Sequence, residues 1–127
     1  MKKRKTGQFA GRLITQWLHA DDGHPDRGML LMSDLHYIDT GGVKWSARTG
    51  QIINGASIPR FLWAFIGPPF TGDYRRASVV HDVACDTRNR PHVDVHHMFC
   101  EAMAADGVPG WKRHLMCAAV KIFGPRW

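Results

Sequence analysis

Two helical patterns joined by a short turn occupy residues 74–103, and this stretch constrains the fold more than any other part of the chain. The first pattern carries His81 and Asp82 in an apolar stripe, and the second carries Asp94 shortly after Pro91. Helices joined by a tight connection lie antiparallel as neighbours. We therefore expect the imidazole of His81 to contact the carboxylate of Asp94, a pairing in which the carboxylate orients the histidine as a general base.

The spacing of apolar residues predicts three helices in the second half of the chain, over residues 74–87, 92–105 and 111–123. Asp73 or Thr71 would cap the first of them. The residues expected on the inner faces are Ala77, Val80, His81 and Ala84 in the first helix, Val95, Phe99, Ala102 and Met103 in the second, and Leu115, Ala118, Ala119 and Ile122 in the third.

Alternation of apolar and polar residues predicts short strands in the first half of the chain. The sequence Thr40-Gly41-Gly42 is typical of a hairpin turn. The strands are expected at residues 12–19, 29–39, 43–48 and 51–53. Strands that follow one another with short turns predict a small antiparallel meander.

The predicted fold class is α+β, with a small N-terminal antiparallel β meander followed by a three-helix C-terminal part that contains an antiparallel helix pair. A chain of 127 residues is large enough for one hydrophobic core, so we expect a single domain over residues 1–127. Its parts are a basic, flexible arm at 1–7, a β-rich part at 8–53, a loop with a short apolar element at 54–73 and a helical part at 74–127.

The charge balance restricts the partners that the chain can have. A net charge of +6 permits binding to anionic lipid or to an acidic partner. The basic residues do not alternate with aromatic residues, so no specific nucleic acid is expected. No apolar run reaches the roughly 18 residues that cross a bilayer, and none follows the basic start, which predicts neither a transmembrane segment nor a signal peptide.

The three cysteines, Cys85, Cys100 and Cys117, are odd in number and form no C-x-x-C motif. We therefore expect no disulfide framework but three buried thiols, as in a protein of a reducing compartment.

Several polar side chains are open to two interpretations. A core-facing histidine such as His81 is more often structural than catalytic, and Asp82 suits a helix surface as well as it suits a calcium site. His92 and His96, spaced i, i+4, are a candidate transition-metal pair, but their ligand set is incomplete and zinc is not expected.

Four residues that precede the helical half, Asn54, Ser57, Arg60 and Trp63, are expected to border the same site and to contact a substrate. Ser57 lacks the G-x-S-x-G context of a nucleophile, so its expected role is a local hydrogen bond in a tight turn.

From Asn54 onward the chain resembles the family called domain of unknown function 1353, which occurs in bacteriophages, prophages and bacteria. The resemblance covers more than half of the chain and implies a phage or prophage origin, but no activity. The motifs that carry it are NGASIPRFLW at 54–63, Gly67-Pro68-Pro69, YRRASVVHD at 74–82, VDVHHMFCEAM at 93–103, Gly107-Val108 and AAVKIFG at 118–124.

The same stretch is more distantly similar to the core of phospholipase A-two enzymes, which has a His-Asp pair on one helix and an aspartate on its antiparallel neighbour. That resemblance implies that His81 activates water, that Asp94 orients His81, and that Asp82 binds calcium together with backbone carbonyls between Gly67 and Gly72. Bound calcium would polarise the ester carbonyl. Cys85 stands where that core has an aromatic residue.

Two functions follow from these resemblances. The first is a calcium-dependent hydrolase of esters or lipids. The second is a non-catalytic virion protein (tail or baseplate) or accessory protein that retains the helix pair as a scaffold; a weaker third is a basic protein that inhibits a host factor. The expected partners are other phage structural proteins, a second copy of the chain, or an anionic lipid surface, and the expected location is the virion or the host cytoplasm.

Overall fold

The computed structural model describes residues 7–18, 29–53 and 74–127. The expectations for the basic arm, the capping residues Thr71 and Asp73, and the site residues Asn54, Ser57, Arg60, Trp63, Gly67 and Gly72 lie outside the described residues. The described part confirms the α+β class, with strands first and helices after them. The strands are β1 (Gln8–Gly11), β2 (Thr15–Trp17), β3 (Met29–Leu31), β4 (Leu35–Ile38), β5 (Lys44–Ala47) and β6 (Ile52–Ile53), and the helices are α1 (Arg75–Thr87), α2 (His92–Ala105) and α3 (Gly110–Phe123).

The strands form two three-stranded antiparallel sheets, in the orders β1-β4-β5 and β2-β3-β6. The two sheets continue one register. Gln8 pairs with Ile38 at one end and Trp17 with Met29 at the other, with the same offset throughout. The pairs of β4 with β5 and of β3 with β6 also share one offset. The β part is therefore one meander of three long strands, each interrupted in its middle. These long strands consist of β1 with β2, β3 with β4, and β5 with β6.

The interruption divides the strand predicted at residues 29–39 into β3 and β4, whereas the strand predicted at residues 12–19 contains only β2 and the strand β1 before it was not predicted. At the break Gly11 adopts a φ of +92°, and an added Cβ there would collide with the carbonyl of Asp34. The Asp34 carboxylate accepts hydrogen bonds from the backbone nitrogen and the hydroxyl of Thr49, at 2.7 and 2.8 Å. These contacts lie at the level where all three strands of the meander are interrupted.

The predicted hairpin turn joins β4 to β5. The carboxylate of Asp39 accepts hydrogen bonds from the backbone nitrogens of Gly41 and Val43 at 2.9 and 2.8 Å, and the indole of Trp45 donates to its other oxygen. Gly42 has a φ of +84°, which glycine adopts without strain.

Helices α1 and α2 pack as the predicted antiparallel pair. Arg76, near the start of α1, forms a 2.7 Å ion pair with Asp106, just after the end of α2. The other carboxylate oxygen of Asp106 accepts a hydrogen bond from the backbone nitrogen of Ala77. This carboxylate therefore satisfies a free N–H in the first turn of α1, where no side-chain cap is formed by the preceding residue Tyr74.

Glu101 on α2 connects the helices to the meander. Its Oε1 accepts a 2.7 Å hydrogen bond from the hydroxyl of Tyr37 and a 2.9 Å bond from the backbone nitrogen of Thr40. The core between the two layers contains fully buried side chains from both, including Leu31, Leu35, Tyr37, Ile53, Tyr74, Phe99, Met103 and Met116.

A disulfide joins Cys100 of α2 to Cys117 of α3, with Cα atoms 5.3 Å apart. The expectation of three free thiols is therefore wrong, and only Cys85 is a free cysteine. The sequence could not indicate the pairing, because the two cysteines are 17 residues apart and meet only through the packing of α2 against α3.

Helix α3 turns a different face to the core than the pattern predicted. Met116, Ala119 and Val120 are buried, so Ala119 alone confirms the expectation. The other expected core residues, Leu115, Ala118 and Ile122, are exposed. The apolar residues of α3 lie on two faces, and periodicity alone cannot say which of two apolar faces meets α2. None of the described helices is long and apolar enough to cross a bilayer.

Candidate functional site

His81 lies in the middle of α1 and is completely buried between the two paired helices. Its ring stacks on that of Phe99, with centroids 4.4 Å apart. Its Nε2 lies 2.9 Å from Nδ1 of His96 and 3.5 Å from Sγ of Cys85. The partners of His81 are therefore a second imidazole and a thiol.

The protonation of the two rings follows from their partners. Nε2 of His96 lies 2.8 Å from the carbonyl oxygen of Pro125, which can only accept, so this nitrogen carries the proton. Nδ1 of His96 then accepts from Nε2–H of His81. Nδ1 of His81 is left without a proton and, within the described part of the chain, without a hydrogen-bond partner.

Burial keeps both imidazoles neutral. Desolvation, followed by the neighbouring His96 ring, lowers the pKa of His81 to about 3. Desolvation also lowers the pKa of His96, although its bond to the Pro125 carbonyl opposes this. A neutral, fully buried ring with a pKa far below 7 is a poor match to a general base that must collect protons from water.

Asp94 does not meet His81. It lies exposed in the first turn of α2, and no hydrogen bond joins it to His81 among the described residues. The expected contact is thus not formed, because His96, two positions further along the helix, points into the pair instead. The catalytic roles given to His81 and Asp94 remain predictions, and this geometry does not favour them.

Asp82 follows His81 but projects to another side of α1. It is 7% exposed, and it has an interaction partner. Its negative charge adds to the effect of burial in raising the pKa of the Cys85 thiol to about 12. Asp82 is thus near Cys85, and its predicted role as a calcium ligand with Gly67 and Gly72 is untested, because both glycines lie outside the described residues.

The segment after α3 covers the outer side of the histidine pair. Besides the Pro125 carbonyl on His96, the indole nitrogen of Trp127 donates a 2.8 Å hydrogen bond to the carbonyl of Arg90. The Trp127 ring lies edge-on to His92 and His96, with centroids 5.8 and 6.2 Å away. Nδ1 of His92 lies 3.0 Å from the carbonyl oxygen of Trp127. The predicted His92–His96 pair therefore shares a face, but each ring directs nitrogen atoms to other partners.

A small cavity opens beside this region, between β5 and the turn from α1 to α2. Its volume is about 100 Å³, well below the roughly 300–1,000 Å³ of typical ligand pockets. At the edge of the cavity the guanidinium of Arg90 lies 5.1 Å from the ring centroid of Trp45. The residues that line the cavity are Lys44, Trp45, Ser46, Val80, Ala84, Thr87, Asn89, Arg90 and Val95.

The sequence pattern also indicates that His96 faces the interior. His92, His96, Phe99 and Met103 follow one another at helical spacing, so the same periodicity that placed Phe99 and Met103 inside also places His96 there. Cys85 lies four residues after His81, which puts both on one face of α1. That these two faces meet is a property of the packing.

Comparison with known proteins identifies relatives but no activity. A family described as "Protein of unknown function (DUF1353)" matches residues 29–120. Uncharacterized protein y4jT of Sinorhizobium fredii is 43% identical over 121 residues, which cover 95% of this chain and 35% of that protein. Uncharacterized protein y4iH of the same organism is 41% identical over 98 residues, which cover 77% of this chain and 41% of that protein.

The chain thus spans less than half the length of either curated relative. No solved structure matches it. Neither the family nor these relatives support the resemblance to phospholipase A-two enzymes.

Proposed function

This chain belongs to the DUF1353 family, and we propose that it is a non-catalytic phage or prophage protein, in the virion or accessory to it, that binds another phage protein. The observation that carries this proposal is the state of His81, which is fully buried and pairs with His96. A general base needs access to the water that it activates. The helix pair then serves as a scaffold. The phage or prophage setting rests on the family resemblance.

The outer face of α3 supports a role in assembly. Four apolar side chains at helical spacing, Trp111, Leu115, Ala118 and Ile122, are exposed, and Trp111 is 67% exposed. The opposite side of the same helix packs into the core through Met116 and Val120. A helix that is apolar on both sides is normally covered on both.

The charge of α3 supports one kind of partner. The segment Gly110–Phe123 contains no acidic residue, and its exposed stripe is bordered by His114 and Lys121. The matching surface on a partner would be apolar with an acidic border. A second copy of the same face would bring basic side chains together, so we propose a different protein as the partner.

Calcium-dependent ester hydrolysis is the alternative that an experiment must exclude. It would require His81 to reach solvent and Asp94 to reach His81. Turnover of a fluorogenic phospholipid and of a short-chain ester, with calcium and with chelator, is expected to be no faster than with the folded His81→Gln variant. If the wild type shows calcium-dependent turnover and His81→Gln abolishes it, the hydrolase hypothesis would be supported and the non-catalytic role contradicted.

Assembly is tested with a matched pair of variants in a prophage that carries the gene. Leu115→Lys places a charge on the stripe, whereas Val93→Lys makes the same change at a 64% exposed apolar residue of α2. We expect the wild type and the Val93→Lys variant in purified phage particles, and the Leu115→Lys variant in the lysate as protein not attached to particles. Equal incorporation of both variants would contradict the proposed face, and absence of the wild type from particles would contradict the virion assignment.

Two further measurements identify other occupants of the face. A dimer in sedimentation velocity that Leu115→Lys dissociates would show that a second copy covers the stripe. Binding to anionic vesicles that Leu115→Lys abolishes would show a lipid surface. Either result would replace the proposed protein partner.

A further inference from the structure

We propose that His81, Cys85 and His96 form a binding site for a divalent metal ion of the zinc class. The proposal concerns the interior of the helix pair and is independent of the partner proposed for α3. One potential ligand atom from each residue lies within 4.8 Å of the other two, and all three residues are buried.

Two of the three separations between the donor atoms are close to those of a metal site. Tetrahedral zinc, with bonds of about 2.0–2.1 Å to nitrogen and 2.3 Å to sulfur, holds two nitrogens roughly 3.3 Å apart and a nitrogen and a sulfur roughly 3.6 Å apart. Here Nε2 of His81 lies 2.9 Å from Nδ1 of His96 and 3.5 Å from Sγ of Cys85. These two separations are within a few tenths of an ångström of the tetrahedral values, and the third, between Nδ1 of His96 and Sγ of Cys85, is no more than 4.8 Å.

The surrounding contacts hold the donors in place. A metal-bound histidine commonly donates its other ring N–H to a carbonyl. His96 does so through Nε2 to Pro125, which leaves Nδ1 as the donor atom that faces the cluster. His81 is fixed by its stack on Phe99. Cys85 lies one helical turn after His81 on α1, so a rigid helix sets the spacing of these two donors.

The type of donor selects the type of ion. Two imidazole nitrogens and one sulfur favour zinc, cobalt, nickel or copper, whereas calcium and magnesium prefer oxygen. This site is distinct from the calcium site predicted at Asp82. It also differs from the His92–His96 pair, because Nδ1 of His92 lies next to the backbone of Trp127.

The proton balance of binding is simple. The thiol of Cys85 loses its proton to solvent and binds as thiolate. The proton on Nε2 of His81 moves to Nδ1, the atom that has no hydrogen-bond partner among the described residues, so no existing bond of that atom is broken. One proton is released for each ion bound. The three side chains fill three positions of a tetrahedral ion, and a water molecule completes it in our proposal.

One nearby charge, that of Asp82, favours a cation, whereas Arg88 near Cys85 and Arg126 and Lys121 near His96 have the opposite sign. A divalent ion with one thiolate carries a net single positive charge, which is costly to bury alone. The carboxylate of Asp82 is close enough to Cys85 to raise the pKa of its thiol through its negative charge. The same charge would offset that of the bound ion.

The test uses cobalt(II) and zinc(II) with the full folded chain and its disulfide intact. We expect one ion per chain after gel filtration, release of one proton, and a thiolate-to-cobalt charge-transfer band in the near ultraviolet. Zinc should raise the Tm by more than about 5 °C, since a ligand bound only by the folded state stabilises it. Failure to retain an ion, or bound cobalt without the thiolate band, would overturn the proposal whatever any variant does.

Variants assign the ligands. Cys85→Ser should abolish the charge-transfer band, while the double variant Cys100→Ser/Cys117→Ser should keep it, because its only remaining thiol is Cys85. His96→Gln should weaken binding by at least the roughly 10–100-fold that loss of an orienting partner costs. His97→Gln, at the exposed neighbouring position, and His92→Gln should bind as the wild type does. Binding that depends on His92 or His97, or that survives Cys85→Ser unchanged, would refute the assignment.

Discussion

Nε2 of His81 donates a hydrogen bond of 2.9 Å to Nδ1 of His96, and this contact joins the centres of helices α1 and α2. It stands where the sequence predicted a contact between His81 and Asp94. The difference matters for function, because a carboxylate would stabilise a charged imidazole whereas a second buried imidazole favours two neutral rings.

A double-mutant cycle measures this relationship directly. His81→Ala combined with His96→Ala should give a coupling energy of about 1 kcal/mol in urea unfolding, since the two rings share a buried hydrogen bond. His81→Ala combined with Asp94→Ala should give none. A coupling to Asp94 as large as that to His96 would show that the predicted dyad forms in solution.

Acid should destabilise the metal-free protein through His81. The pKa of His81 is about 3 in the folded state and about 6.5 when unfolded, so between these values only the unfolded chain binds the proton. The stabilisation is complete above pH 6.5 and is lost as pH falls towards 3. His96, whose pKa is also lowered, acts in the same direction.

The measurement is the free energy of unfolding at several pH values in the presence of chelator. Between pH 6.5 and 3, the free energy of unfolding should change by about 1.4 kcal/mol per pH unit for each histidine that stays neutral in the folded state. His81→Gln should flatten the slope between pH 6.5 and 3. An unchanged slope in that variant would mean that His81 is not buried neutral.

The disulfide between Cys100 and Cys117 should stabilise the packing of α3 on α2. Removing a cross-link that spans 17 residues releases conformational entropy in the unfolded chain, worth about 2–4 kcal/mol. Cys100→Ala/Cys117→Ala should therefore lower the Tm relative to the oxidised wild type and match the wild type treated with reductant. If reductant leaves the Tm of the wild type unchanged, the two sulfurs are not joined in solution.

The orientation of α3 can be checked at two adjacent positions. Met116 is fully buried and Leu115 is 42% exposed. Met116→Lys should unfold the protein or cost several kcal/mol, because it buries an unpaired charge. Leu115→Lys should change the free energy of unfolding by no more than about 0.5 kcal/mol. A larger loss of stability for Leu115→Lys than for Met116→Lys would show that the face predicted from the sequence pattern packs against the core.

Glu101 should contribute more to stability than a half-buried acidic residue usually does. It accepts hydrogen bonds from the hydroxyl of Tyr37 and from the backbone nitrogen and hydroxyl of Thr40. Glu101→Ala should cost about 2–3 kcal/mol, and Tyr37→Phe about 1–2 kcal/mol. Chemical denaturation of both variants and of their combination checks this, and additive effects would show that the two side chains do not interact.

The sequence alone determined the order and type of the elements. The helix predicted from Pro91 or His92 to about Ala105 is confirmed as His92–Ala105, because its apolar face of Val95, Phe99, Ala102 and Met103 is unambiguous and Pro91 marks its start. The meander followed from alternation and from Thr40-Gly41-Gly42. These are local properties, set by backbone sterics and by the period of burial within one element.

Only the tertiary structure decided which faces meet. The His81–His96 contact, the Cys100–Cys117 bond and the exposed side of α3 each depend on how one helix is rotated against another. A rotation of about 100° per residue separates His96 from its neighbours, so a small change of rotation exchanges one partner for another. Periodicity marks a face as apolar, but the total packing of the core selects its partner.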